Sequence, residues 1–184
     1  MVKMTLDRSN FPEPAASFDA PFEMLAACHD RMRDRCATLL RLRPHVAANG
    51  ADAASSAAAR GVIRYFDSAA RDHHADEEQD LFPALLESVP GSDPVCIREL
   101  VEALMNEHRE LQRLWEPVKA WLARVEAGEA PPSAPEIDAF VEGYERHTAR
   151  EEQELFPMAE RLLGPLELDA IGQSMRRRRG LALS

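Results

Sequence analysis

Apolar residues recur at intervals of three and four along four stretches of the chain. In the third stretch the spacing alternates between four and three without a slip: Ile97, Val101, Leu104, His108, Leu111, Trp115, Val118 and Leu122. This spacing places all of them on one face of an α-helix. The sequence has no sustained alternation with a period of two, which would indicate β-strands.

The other three stretches carry similar stripes. The first contains Phe22, Leu25, His29, Met32, Cys36 and Leu39. The second contains Ile63, Phe66, Ala70, His73 and Glu77, and the fourth contains Ile137, Phe140, Tyr144, His147 and Glu151. Four stripes at heptad-like spacing predict an all-α fold, an antiparallel up-down-up-down four-helix bundle.

Three breaks separate the four predicted helices. They run from Pro44 to about Ser56, over residues 89–94 and over residues 127–132. Asp93 before Pro94 predicts an N-cap followed by proline in the first helical position. Ser133 and Glu136 have the spacing of a capping box.

The ends of the chain have a different character from its middle. We predict an irregular arm over residues 1–19, the bundle over residues 20–163, and a C-terminal helix and tail over residues 164–184. The short amphipathic pattern that predicts this fifth helix consists of Leu166, Leu168, Ile171 and Met175. The basic run Arg176–Arg179 is expected to be a solvated helix end.

Composition narrows the range of functions. A chain of 184 residues suits one domain, and a formal net charge of -10 makes nucleic acid an unsuitable partner. Neither a signal peptide nor an apolar stretch long enough to span a membrane is found. With three cysteines, an odd number, these features predict a reduced cytosolic protein. They predict no oligomeric state.

One chemical unit occurs twice in the chain. Residues 73–83 are HHADEEQDLFP and residues 147–157 are HTAREEQELFP, with every position at the same offset. In each copy a glutamate follows a histidine by four residues, so both side chains lie on one helix face. A nitrogen and an oxygen presented together in this way can bind a metal ion.

The predicted core faces carry four histidines and two glutamates. Burying that many polar groups without a compensating charge costs on the order of a few kcal/mol for each. A bound cation resolves this problem, and two carboxylates can bridge two cations. A hydrogen-bonded polar core and a solvated cleft are the alternatives.

The ordered set of these residues resembles the hemerythrin-like family, the HHE cation-binding domain. The resemblance covers roughly residues 20–163 and implies a non-haem di-iron centre, two iron ions with an oxide or hydroxide bridge, inside the bundle. It implies histidine ligands at His29, His73, His108 and His147, and bridging carboxylates at Glu77 and Glu151.

The chain departs from the oxygen-carrying hemerythrins at two positions. They have a fifth histidine where this chain has Gln112, and their last acidic ligand follows its histidine by five residues. Here Glu151 stands at four and Glu152 at five, and the internal repeat favours Glu151. Two octahedral ions have about twelve ligand positions, of which about two stay open here. This leaves room for reaction with oxygen, peroxide or nitric oxide.

Three hypotheses of function follow. The first is a di-iron protein that binds or senses oxygen or nitric oxide, or that holds iron. The second is a di-iron enzyme that repairs iron–sulfur clusters or consumes peroxide or nitric oxide. The bundle resembles the di-iron domain of the repair proteins, but residues 1–19 lack their N-terminal cysteines. The third is a zinc or other cation site without redox chemistry.

Several nearby residues receive a structural interpretation. His74 is about 100° around the helix from His73, so we expect it on the surface, and a ligand only if the helix register slips. His45 is expected in a linker and not at the metal. Tyr144 is expected to pack in the core, with a hydrogen bond to a metal-bound oxygen as the alternative. Pro83 and Pro157 predict a matched kink or helix end.

Overall fold

The computed structural model describes residues 17–88, 94–132 and 136–182, and every regular element in these ranges is helical. The elements are α1 (Pro21–Asn49), α2 (Ala53–Asp67), α3 (Ala69–Asp76), π1 (Glu77–Leu81), α4 (Phe82–Glu87), α5 (Pro94–Glu126), α6 (Glu136–Arg150), π2 (Glu151–Leu155), α7 (Phe156–Leu162) and α8 (Pro165–Arg178). The helix-start signals at Asp93 and Ser133, and residues 1–16 of the predicted arm, lie outside the described residues.

The helices form the predicted antiparallel four-helix bundle. Both α1 and α5 pack against α2 and against α6. The end of α1 meets the start of α6, where Arg43 Nη1 lies 2.7 Å from Asp138 Oδ2. The start of α2 meets the end of α5, where Ser56 Oγ donates to the Val125 carbonyl at 3.1 Å. The two helices of each of these neighbouring pairs therefore run in opposite directions.

The predicted stripes form the core, with Phe22 and Ile63 only half-buried. They divide into two apolar clusters, one around Leu39, Val62 and Trp121, the other around Leu25, Leu85 and Ile97. The polar stripe residues form a layer between these clusters. Along α1, His29 lies between the buried Leu25 and Met32, and along α5, His108 lies between the buried Leu104 and Leu111.

The first break is shorter than predicted. Helix α1 continues through Pro44 to Asn49 and ends at Gly50, whose φ of 75° few other residues adopt. Although Pro44 removes one helical hydrogen bond, Leu42 and Val46 on either side of it are buried, and their packing maintains the helix. His45 therefore lies on α1 and not in a linker.

The two prolines of the repeat follow a widened helical turn instead of ending a helix. Phe82 N–H donates to the Glu77 carbonyl and Phe156 N–H to the Glu151 carbonyl, which are the five-residue bonds of a π-helix. Each proline then lies in the first turn of the next α-helix. The matched feature predicted from the prolines is thus a π turn, a distortion often found at functional sites.

The predicted fifth helix is α8, which packs on α1, α3 and π1. Its residues Ile171 and Met175 are buried, whereas Leu166 is 83% exposed. At Gly172 the helix lies directly against the backbone of Phe18, where a side chain would collide. Among the described residues, no helix has both the length and the apolar character needed to cross a membrane.

The expectation of a solvated basic run is wrong for three of its members, since Arg176 pairs with Asp19 at 2.7 Å and the other two reach into the bundle. Arg178 and Arg179 both contact Asp76, a fully buried carboxylate, and Arg179 Nη2 lies 2.7 Å from Asp76 Oδ2. Arg178 also reaches Asp80 at 2.8 Å. Burial raises the pKa of Asp76, and the two guanidinium groups oppose this shift. The basic end of α8 therefore neutralises a charge inside the bundle.

Candidate metal centre

Four histidines converge in two pairs inside the polar layer. The Nε2 atoms of His29 and His73 are 3.1 Å apart, and those of His108 and His147 are 3.0 Å apart. All four side chains are buried. The stripes place them there, since each histidine continues the apolar face of its helix.

Glu77 and Glu151 lie between the two histidine pairs. Glu77 Oε1 is 3.2 Å from His73 Nε2, and its Oε2 is 3.4 Å from His108 Nε2. Glu151 Oε2 is 3.1 Å from His29 Nε2, and its Oε1 is 3.2 Å from His147 Nε2. Each carboxylate therefore presents one oxygen to each pair, the arrangement of a bridging ligand.

The polar atoms of this layer lack the hydrogen bonds that burial demands. All four carboxylate oxygens of Glu77 and Glu151 are shielded from solvent and form no hydrogen bond of acceptable geometry, although histidine nitrogens lie near them. Donor atoms that crowd together without hydrogen bonds fit a cation better than they fit one another. Two overlapping groups of four ligand atoms result, and both contain Glu77 and Glu151.

The pKa values of the buried side chains show how strongly these groups interact. Burial, together with repulsion from Glu151, raises the pKa of Glu77 to about 8. Burial also acts on Glu151, but His147 and His29 outweigh it and lower the pKa of that carboxyl group. Burial lowers the pKa of His73 well below its ordinary value, which favours the neutral imidazole that binds metals. At His29 and His108 burial acts in the same direction, but the carboxylates of the layer outweigh it and raise the pKa of both rings.

Three further carboxylates hold the histidine rings from behind. Glu152 Oε1 lies 2.9 Å from His29 Nδ1, and Glu78 Oε1 lies 2.6 Å from His108 Nδ1. On a third ring, His147 Nδ1 is 3.0 Å from an oxygen of Glu107. Such bonds orient metal-binding imidazoles and make them better donors.

The sequence analysis did not predict that carboxylates support the histidine rings, although two of these carboxylates occupy matched positions in the repeat. Glu78 and Glu152 are the second glutamates of the two copies, and each supports a histidine from another helix. The structure thus places Glu151 in the layer and Glu152 behind it. Arg33 lies 2.6 Å from Glu152, and Arg150 lies 2.5 Å from Glu107, which fixes two of the supporting carboxylates.

The expectation that His74 lies on the surface is wrong. Its Nε2 is shielded from solvent and has no hydrogen-bond partner. Its ring lies parallel to that of His108, with an interplanar angle of 12° and centroids 3.9 Å apart. The donor nitrogens of His74, His108 and His147 lie within 4.8 Å of one another. A residue one position past the stripe faces the seam between α3 and α5, not the solvent.

A cavity of about 450 Å³ opens along this seam. His74 and His108 form part of its wall, together with Gln112, Trp115 and Tyr144. The exposed Gln112, at the position of the fifth histidine of oxygen carriers, therefore lines the cavity. Tyr144 packs against Phe66 and Phe140, with ring centroids 5.2 and 5.0 Å away, as expected of a core tyrosine.

A helical bundle around a buried histidine–glutamate cluster able to hold metal ions defines the class of protein. The chain belongs to the hemerythrin HHE cation binding domain family, whose model matches residues 20–159. It is also similar to an uncharacterized protein of Haemophilus influenzae, with 30% identity over 169 residues, 91% of this chain and 95% of that protein. The family resemblance drawn from the sequence is thereby confirmed.

Proposed function

We propose that this chain holds two iron ions in a bridged pair and that it binds or senses oxygen or nitric oxide, or holds iron. The observation that carries this proposal is the division of each buried carboxylate between the two histidine pairs. One ion would be held by His29 and His73, the other by His108 and His147. Glu77 and Glu151 would each give one oxygen to the first ion and the other oxygen to the second.

The spacing of the donors supports six-coordinate ions. Neighbouring ligands of an octahedral ion with bonds of about 2.1 Å are about 3.0 Å apart, whereas those of a tetrahedral ion are about 3.4 Å apart. The two nitrogen pairs are separated by 3.1 and 3.0 Å, near the octahedral value, and the histidine–glutamate donor pairs by 3.1 to 3.4 Å. Four protein donors per ion then leave positions for a bridge and for a small ligand, which favours iron over a closed zinc site.

The protein's part in this chemistry is to position, shield and support. Iron, when bound, would supply ligand coordination and redox chemistry. The two apolar clusters exclude water from both sides of the layer. The supporting carboxylates Glu78, Glu107 and Glu152 hold three histidine rings in place.

The cavity supports a second candidate function, a di-iron enzyme. Its volume of about 450 Å³ exceeds what a diatomic molecule needs and falls in the range of small-molecule sites. Repair of iron–sulfur clusters and removal of peroxide or nitric oxide belong to this class. Turnover of added peroxide by the iron-loaded protein, absent from the metal-free protein, would favour the enzyme over a reversible binder.

The experiment that tests the main proposal is metal analysis of freshly purified protein, followed by optical spectra. We expect about two irons per chain. We expect the spectrum of the reduced protein to change on addition of oxygen or nitric oxide. Stoichiometric zinc with no iron, or a spectrum that neither gas changes, would contradict the proposal.

A further inference from the structure

His74 lies in the wall that separates the cavity from the second histidine pair. Its ring borders the cavity, and its Nε2 is the buried end of the side chain. A ring nitrogen of His74 lies within 4.8 Å of the donor nitrogens of His108 and His147. A buried polar atom without a partner is costly and indicates a bonding group beyond the protein.

The orientation of the ring favours a ligand of the metal, and not the metal itself, as that group. The lone pair of an imidazole nitrogen lies in the plane of its ring, so an ion bound by His108 lies in the plane of the His108 ring. The His74 ring is stacked on it, nearly parallel and 3.9 Å away between centroids. An ion held by His108 would therefore lie outside the plane of the His74 ring, so His74 would face a small ligand beside the ion and not the ion itself.

We propose that His74 Nε2 forms a hydrogen bond with a small ligand, a diatomic molecule or a small anion such as azide, held at the second histidine pair. This inference rests on the proposed function and adds the residue that sets ligand affinity. A neutral imidazole can donate or accept at Nε2, according to its tautomer. His74 thus secures the ligand without occupying a metal position.

The second copy of the repeat carries no such group. Its counterpart of His74 is Thr148, whose hydroxyl donates to the Tyr144 carbonyl at 3.0 Å. The cavity likewise touches His108 but neither His29 nor His73. Access and hydrogen bonding therefore coincide at one histidine pair, which assigns the ligand to that side.

The test uses the full-length, iron-loaded protein titrated with sodium azide, with affinity measured from the ligand-to-metal absorption. His74→Phe keeps a planar ring and removes the nitrogens, and we expect it to weaken azide binding by about ten-fold or more, the loss of one hydrogen bond to a charged group. His74→Gln, which retains a polar group, should bind azide more tightly than His74→Phe. His45→Phe, a change at the exposed end of α1, is the matched control and should leave the affinity unchanged.

Iron content of the same samples distinguishes the outcomes. Full iron with weakened azide binding supports the inference. Full iron content with unchanged azide affinity overturns it. Loss of iron in both His74 variants also overturns it, because it would show that His74 is a metal ligand. If the unaltered protein takes up no iron, the proposed function itself fails. Circular dichroism checks folding, and His74→Gln decides the matter if His74→Phe does not fold.

Discussion

The two copies of the repeat differ in their surroundings far more than in their ligands. Both supply a histidine and a glutamate to the polar layer, and both enter a π turn at the glutamate. At the second position, however, one copy has His74 beside the cavity of about 450 Å³, and the other has the buried Thr148 beside a pocket of only about 80 Å³. The symmetric layer is thus placed in an asymmetric bundle, and only one histidine pair borders the cavity.

A second difference lies at the fourth position. In the first copy, Asp76 is fully buried and is neutralised by Arg178 and Arg179. In the second, Arg150 is 39% exposed and bonds Glu107. The charge of the first copy is therefore balanced by the end of the C-terminal helix, whereas the charge of the second is balanced by a residue of the bundle itself.

The largest effect should come from removing what the copies share. Glu77→Ala combined with Glu151→Ala removes both bridging carboxylates, so the paired metal site should be lost. Metal analysis should show a fall from about two ions per chain to none or a trace. Glu154→Ala, an exposed position of the same repeat, is the control. Full metal content in the double variant would rule out the ligand assignment.

The buried carboxylate pair should also make the metal-free protein sensitive to pH. The pKa of Glu77 is raised from 4.5 to about 8, so the folded state holds this proton more tightly than the unfolded state. The contribution of Glu77 to stability is therefore fully present below about pH 4.5 and is lost as pH rises through 8, by on the order of a few kcal/mol.

Urea unfolding of chelator-treated protein at several pH values measures this loss. Glu77→Gln cannot ionise, so its free energy of unfolding should fall less over the same range. Glu154→Gln should behave like the unaltered chain. Parallel pH profiles for Glu77→Gln and the unaltered chain would show that Glu77 does not carry the effect.

Substitution of the paired arginines tests whether the two copies differ in how their charge is balanced. Arg178→Ala combined with Arg179→Ala leaves Asp76 buried without a partner, which should lower the free energy of unfolding by about 3 kcal/mol. Arg150→Ala breaks a partly exposed pair and should cost less than about 1 kcal/mol. Adding Asp76→Ala to the double variant should recover stability. Equal losses at the two places would remove this asymmetry.

The supporting glutamates should give smaller effects, similar in the two copies. Glu78→Ala and Glu152→Ala each free one histidine ring, and each should weaken metal binding by about 10-fold to 100-fold. Competition with a chelator of known affinity measures this change. A large loss in only one of the two variants would mean that the outer carboxylates are not equivalent.

Much of the fold was accessible from the sequence because a bundle requires regular apolar stripes. The stripe of α5 from Ile97 to Leu122 is buried throughout, and the two His–Glu pairs lie on such stripes. The inward direction of His29 and His108 follows from the same spacing. Helix α1 could not be bounded correctly, because the packing of Leu42 and Val46 overcomes the proline between them.

The remaining features depend on contacts between helices that are distant in sequence. A helix in a bundle touches two neighbours, so a position beside the stripe, such as His74, can face a seam instead of solvent. Arg178 and Arg179 meet Asp76 across more than one hundred positions. The prolines marked the π turns, but the widened hydrogen bonding is a property of the folded backbone.

X-ray absorption spectroscopy of the iron-loaded protein tests the central claim most directly, because it reports both the ligands and any second metal nearby. We predict nitrogen and oxygen ligands and an iron–iron vector no longer than about 4 Å. The variant that lacks both Glu77 and Glu151 should hold too little iron to give this vector. Iron surrounded by light atoms alone, without a neighbouring iron, would contradict the bridged pair.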